Sequence, residues 1–168
     1  MQNLNLLGIY GAGNDTLFGG ALRGLVSHIQ NDAASLGYSK HLYVPRIMDY
    51  LEATTIVRLV LKWKDPTIVL AHSCGCLTAT MASNEDTMSP FPYMALIAPS
   101  MYCSPQPVAP NVVRLDQFSS SPVDFFNPGS HARACGDGAR ADTYEAARRH
   151  LAAMQRVVDA AVEVSAAT

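Results

Sequence analysis

The sequence predicts an α/β fold: a three-layer sandwich in which about five parallel strands form a sheet with helices on both faces. Three observations carry this. Short apolar runs alternate with stretches of helical periodicity along the chain, the order that gives a parallel sheet. The run Thr67–His72 (TIVLAH) is apolar almost throughout, as a strand covered on both faces must be. A length of 168 residues, 49% hydrophobic and 15% charged, suits one domain able to bury a sizeable core, so residues 1–168 are read as a single unit.

Taken in order, Leu4–Tyr10 (LNLLGIY) reads as a buried first strand that ends at Gly11-Ala12-Gly13. Residues 16–31 place Phe18, Ala21, Leu22, Leu25 and Ile29 at helical spacing, with Asn14 or Asp15 as the N-cap. His41–Val44 is a short second strand, and Asp49–Trp63 a helix with Ile56, Val60 and Trp63 on one face, stopped by Asp65-Pro66. Thr67–His72 is the central strand and Gly75–Ala82 a helix directly behind it. Tyr93–Ala98 and Asn111–Phe118 complete five strands. A last helix is capped by Asp142 with Glu145 three residues on, and repeats apolar residues from Tyr144 to Ala161 at spacings of three and four. Residues 99–140 hold six of the ten prolines, and a loop-rich zone that long in a compact domain is usually functional.

Composition excludes several functions. Twelve Lys+Arg against fourteen Asp+Glu leave a net charge of −2, so there is no basic excess to neutralise phosphates and no nucleic-acid partner is expected. No apolar stretch approaches the ~20 residues of a membrane span. Met1-Gln2-Asn3-Leu4 lacks a basic segment ahead of an apolar run, so no secretory leader and a cytoplasmic location are expected. Four cysteines are too few for a disulfide scaffold, and Cys74-x-Cys76 lacks the spacing of a zinc site. Free thiols, no metal and no cofactor follow as expectations.

Chemistry concentrates at Ala71-His72-Ser73-Cys74-Gly75. This pentapeptide follows the central strand and opens a helix, and it fits the nucleophile-elbow pattern G-x-S-x-G with Ala in the first place. The turn is tight enough to require small residues two positions either side of the serine, and it holds that serine in a strained conformation. The hydroxyl of Ser73 then stands at a helix N-terminus, which favours developing negative charge. The rival Gly-rich segment, GAGNDT at 11–16, lacks the third glycine of G-x-G-x-x-G and the lysine of a Walker loop.

A nucleophilic serine needs a base, and the base an orienting carboxylate. Of five histidines, His28 lies on the first helix and His41 at the amino end of a strand. His72 points to the face opposite Ser73, and His150 sits mid-helix beside Arg148 and Arg149. His131 remains, in the loop after the last strand, at the carboxyl end of the sheet where sites in such folds lie.

These residues resemble the α/β-hydrolase superfamily. The run IVLAHSCGCLTA is similar to the elbow of its small members, the retinoblastoma-binding-type serine hydrolases and the cutinase-like esterases. Ile9-Tyr10-Gly11-Ala12-Gly13 resembles the superfamily's His-Gly-x-Gly loop, with Tyr10 in the histidine place. The resemblance implies a lidless Ser-His-Asp hydrolase with the order serine, acid, histidine. It implies Ser73 as nucleophile, His131 as base and the Cys74 and Ala12 amides as oxyanion hole. Phe118–Asp124 resembles the strand-to-acid turn and makes Asp124 the acid; Asp116 is the second choice. Only seven residues separate Asp124 from His131, a departure from many superfamily members. Cutinase-like members share the arrangement of acid and base in one long loop before a final helix. They also carry disulfides in this region, which leaves pairing of Cys103 with Cys135 open.

The expected reaction is hydrolysis of carboxylic esters, either small molecules or esters on a polymer or lipid surface, because the Pro99–Pro110 link is too short for a cap domain. Thioesters and amides suit the same machinery. Met101, Tyr102, Phe125 and Phe126 line an acyl groove or pack in the core. The alternatives from other classes are a non-catalytic hydrolase-like binding module and phosphate or nucleotide binding at GAGNDT.

Overall fold

The computed structural model describes residues 2–11, 19–44, 54–56, 58–59, 64–85, 87–88, 90–97, 99, 103–118 and 163. Five strands, β1 (Gln2–Ile9), β2 (Tyr38–Tyr43), β3 (Thr67–His72), β4 (Tyr93–Ile97) and β5 (Leu115–Phe118), form one sheet in the order β2-β1-β3-β4-β5. Every neighbouring pair is parallel. Two helices have described boundaries, α1 (Gly19–Ser35) and α2 (Gly75–Glu85), and residues 54–56 and 58–59 are also helical.

Burial on both faces explains why the strands read as continuous apolar runs. On one face Leu4, Leu6, Ile68, Leu70, Tyr93, Ala95 and Ile97 pack against Leu22, Leu25, Val26 and Ile29 of α1. On the other, Leu7, Ile9, Val69, Ala71, Met94 and Leu96 meet Cys76, Ala79 and Ala82 of α2, together with Ile56. Each such aliphatic side chain contributes roughly 1.5–3 kcal/mol when withdrawn from water. Beyond the end of α1 at Ser35, Gly37 has a φ of 86°, the left-handed conformation that closes a helix, and β2 begins at the next residue.

Several boundaries differ from the sequence expectation. β5 starts at Leu115 rather than Asn111, because the chain first makes a turn at 110–111 and a single bridge from Val112 to Phe91. β2 starts three residues earlier than His41, which therefore sits mid-strand, in register with Asn5, and not at the strand's amino end. Asn5 is in turn in register with Thr67, so His41 lies level with the start of β3, far from Ser73. No described helix is long and apolar enough to cross a membrane. The N-cap positions Asn14 and Asp15, the side chains of Phe18, Ala21, Val60 and Trp63, and the expected final helix from Asp142 lie outside the described residues, apart from Glu163, which is helical.

The link from β4 to β5 takes an unusual form. Residues 103–114 contain no helix; they run as an extended strap along α2. Thr80 Oγ1 accepts from Gln106 N–H at 2.9 Å, Asn84 Nδ2 donates to Pro107 O at 2.9 Å, and Asn111 Nδ2 donates to Ser83 O at 3.4 Å. Val108 and Val112 close the apolar layer beneath. The buried hydroxyl of Thr80 is explained by this strap, whose extended backbone needs a partner where a crossover helix would have satisfied its own.

Candidate active site

The chain passes from β1 to β2 on one side of the sheet and then to β3 on the other, so β1 and β3 flank the point where strand order reverses. Ligand crevices in open α/β sheets form at the carboxyl ends of the strands at such a point. Gly11 and Ser73 lie there, each just beyond its strand.

Ser73 has φ = 54° and is the only non-glycine residue at positive φ among the described residues. That conformation costs a side-chain-bearing residue about 1–2 kcal/mol and persists where neighbours over-determine it. Here they do. Ser73 N–H donates to Ile97 O at 3.0 Å, extending the β3–β4 ladder by one rung, while Ser73 O and Cys74 O accept from Cys76 N–H (3.1 Å) and Leu77 N–H (3.2 Å). The small flanking residues are also used. Ala71 is fully buried, and a methyl added at Gly75 would lie 2.6 Å from Ile9 O.

Gly11 closes the site from above. A Cβ there would stand 2.5 Å from Ser73 Cβ, 2.9 Å from Ser73 Oγ and 3.0 Å from Cys74 N. The loop leaving β1 is thus pressed onto the serine and onto the amide after it. Among the described residues, Cys74 N–H donates to no backbone carbonyl, and it sits at the N-terminus of α2, whose dipole favours a negative charge. Gly11→Ala should therefore lower the reactivity of Ser73 towards a fluorophosphonate by at least about tenfold, with a smaller effect on Tm, because the new methyl displaces reacting atoms rather than core. Labelling rates of folded Gly11→Ala protein check this.

The cysteines depart from expectation. Cys74 and Cys103 form a disulfide with Cα atoms 4.9 Å apart. The free-thiol expectation fails for both, and Cys103 is taken by Cys74 rather than Cys135, because the strap brings Cys103 against the nucleophile turn. Cys76 is a free thiol, fully buried, with Sγ 3.5 Å from Ala71 O and 3.7 Å from Ile97 O. Burial pushes its pKa far up. Neither cysteine is therefore a nucleophile. A thiol with a raised folded-state pKa contributes stability that is fully present below the unfolded value and lost as pH rises above it. Urea midpoints should accordingly fall between pH 8 and pH 10.5, and fall less in Cys76→Ala.

Of the candidate acids, Asp116 is described. Its Oδ2 accepts from Arg114 Nε at 3.1 Å and lies 3.0 Å from Arg114 Nη2, and that guanidinium lies over the Tyr93 ring. Burial and the neighbouring Asp116 raise the pKa of the Tyr93 hydroxyl. Asp116 thus belongs to a cluster two residues short of the end of β5. His72 is buried, and His28 is exposed on α1. The described residues hold no group of three metal-ligating side chains.

Ala12, Asp124, His131, Cys135, His150 and the groove candidates Met101, Tyr102, Phe125 and Phe126 lie outside the described residues. Sequence reasoning missed the Cys74–Cys103 bridge and the steric role of Gly11. The signal for the first was a cysteine directly beside the nucleophile, read as a free thiol with its amide in the oxyanion hole.

Comparisons with protein-family models, with curated proteins and with solved structures found no match to this chain.

Proposed function

We propose that this chain is a serine hydrolase of the small, lidless α/β-hydrolase type, cleaving carboxylic esters through an acyl-enzyme. The observation that carries the reading is Ser73: the one non-glycine residue at positive φ among those described, set at the β1/β3 crevice. Such strain, held by several independent contacts, is a mark of function rather than of folding.

In this mechanism Ser73 Oγ attacks the ester carbonyl and passes its proton to His131, while Asp124 orients the imidazole and stabilises its charged form. The amides of Cys74 and Ala12 donate to the oxyanion, each worth on the order of 3 kcal/mol in such sites. The alkoxide leaves with the proton from His131. Water, deprotonated by the same histidine, then releases the acid and restores Ser73. The ion pair of Asp116 with Arg114 favours Asp124 over Asp116 as the acid.

Hydrolysis of a p-nitrophenyl ester series from acetate to laurate tests this. The expected result is saturable turnover with a burst of p-nitrophenol stoichiometric with enzyme. Absence of turnover across the series from folded protein would favour the binding-module reading.

A further inference from the structure

We propose that the outer edge of β5 is a homodimer interface. Two copies of this chain pair β5 with β5 in antiparallel sense about a two-fold axis at Leu115, joining their five-stranded sheets into one. The proposal goes beyond the hydrolase reading and does not depend on it.

The first observation is an open edge. β5 stands last in the sheet order, and among the described residues nothing pairs with its outer side. Met94 N–H donates to Arg114 O at 2.9 Å, and Met94 is in register with Leu115. In a parallel ladder of that phase Asp116 turns its N–H and C=O towards β4, while Leu115 and Gln117 turn theirs away. Such groups are a template for a further strand. The edge is also apolar: Leu115 is 42% exposed and Val113 76%.

The second observation is that β5 complements itself. Arg114 and Asp116 flank Leu115, and both are part-exposed. Arg114 lies over the Tyr93 ring, and Phe118 packs against the same layer as Tyr93. Arg114, Asp116 and Phe118 therefore share the α1 face of the sheet, with Leu115 on the other. An antiparallel partner centres on a residue whose N–H and C=O both face outward, here Leu115 or Gln117. About Leu115, a second β5 sets its Asp116 opposite Arg114 and its Arg114 opposite Asp116, and the two Leu115 residues exchange N–H···O=C bonds. About Gln117, Asp116 would meet Phe118 and the ionic match is lost. Opposite charges directly across a strand pair stabilise it, and like charges oppose it. A two-fold contact uses one patch twice, which is what an Arg-x-Asp strand allows; a foreign strand would have to bring its own Asp-x-Arg. Because β4 lies between β5 and β3, the joined sheet extends away from the β1/β3 crevice.

Analytical ultracentrifugation of the wild-type chain beside Arg114→Asp, Asp116→Arg and Leu115→Pro tests this. Strand-edge interfaces are small and weak, so concentrations run from about 1 to about 500 µM. Wild type is expected to pass from monomer to dimer across that range. Arg114→Asp and Asp116→Arg each set like charges across the two-fold and should dimerise at least about tenfold more weakly. Mixed in equal amounts, these two variants oppose an acidic strand with a basic one and should form a heterodimer within about threefold of wild-type affinity. The ion pair inside each chain is lost in both variants and stays lost on mixing, so it cannot produce that recovery. Nor can Glu163, 3.8 Å from Arg114, which is the same in every chain. Leu115→Pro removes an N–H that faces away from β4, a position where an edge strand tolerates proline, and should remain folded and monomeric. Wild type that stays monomeric throughout the range would overturn the proposal. So would a mixture that associates no more tightly than either variant alone, or a folded Leu115→Pro protein that still dimerises.

Discussion

Ser73→Ala is expected to reduce ester turnover by at least about 10⁴-fold, since deleting the nucleophile of a triad removes the covalent path and leaves only binding and the oxyanion hole. Its Tm should barely move, because alanine occupies the same φ of 54° and no described neighbour depends on the hydroxyl. Ser73→Gly separates the two roles of the position. It should be equally inactive yet more stable, by about 1 kcal/mol, as glycine adopts positive φ without the clash of Cβ. For a chain of this size that is roughly 2–4 °C in Tm. His131→Ala should lose nearly as much activity as Ser73→Ala, and Asp124→Asn about 10²–10⁴-fold. Asp116→Asn should keep most of the activity and lose under about 1 kcal/mol of stability, as a part-exposed ion pair contributes little. Calorimetry and initial rates on the five variants decide the matter.

Gly75→Ala should cost about 1–3 kcal/mol and lower Tm by several degrees, against the direction that helix propensity alone dictates. Alanine normally stabilises a helical position relative to glycine by up to about 1 kcal/mol. At Gly75, however, the methyl would meet Ile9 O at 2.6 Å, Ile9 Cγ2 at 2.9 Å and Ile9 C at 3.0 Å. Two of those atoms are backbone of β1, held there by pairing of Ile9 with Ala71 of β3, so overpacking wins. Gly24 is the internal control. It lies on the exposed side of α1 with nothing within 4 Å of an added Cβ, and Gly24→Ala should therefore stabilise. Opposite signs of ΔTm for two glycines on helices would show that the approach of β1 to the elbow, not propensity, governs Gly75.

Much of the fold was legible because its strands are buried on both faces. Thr67–His72 needed no correction, since a run apolar on both sides has one comfortable place, the middle of a parallel sheet. Edges were harder. β5 alternates between partly exposed and exposed residues, and its start depends on where the strap releases it to pair with β4, which no local pattern encodes. The strained serine and its small flanking residues could be anticipated from five letters, because the turn's sterics are local. The disulfide could not. It joins residues 29 apart through the path of a proline-rich segment, and that path is held by the side chains of Thr80 and Asn84. Ser83 and Asn84 lie beyond the helix as read from sequence, which stopped at Ala82, whereas the structure extends it to Glu85.

The most direct test is a fluorescent fluorophosphonate applied to oxidised wild-type protein, with the labelled residue located by mass spectrometry beside a Ser73→Ala control. The account predicts stoichiometric labelling at Ser73 and none in the variant. A folded wild-type protein that takes no label, or takes it elsewhere than Ser73, would contradict it.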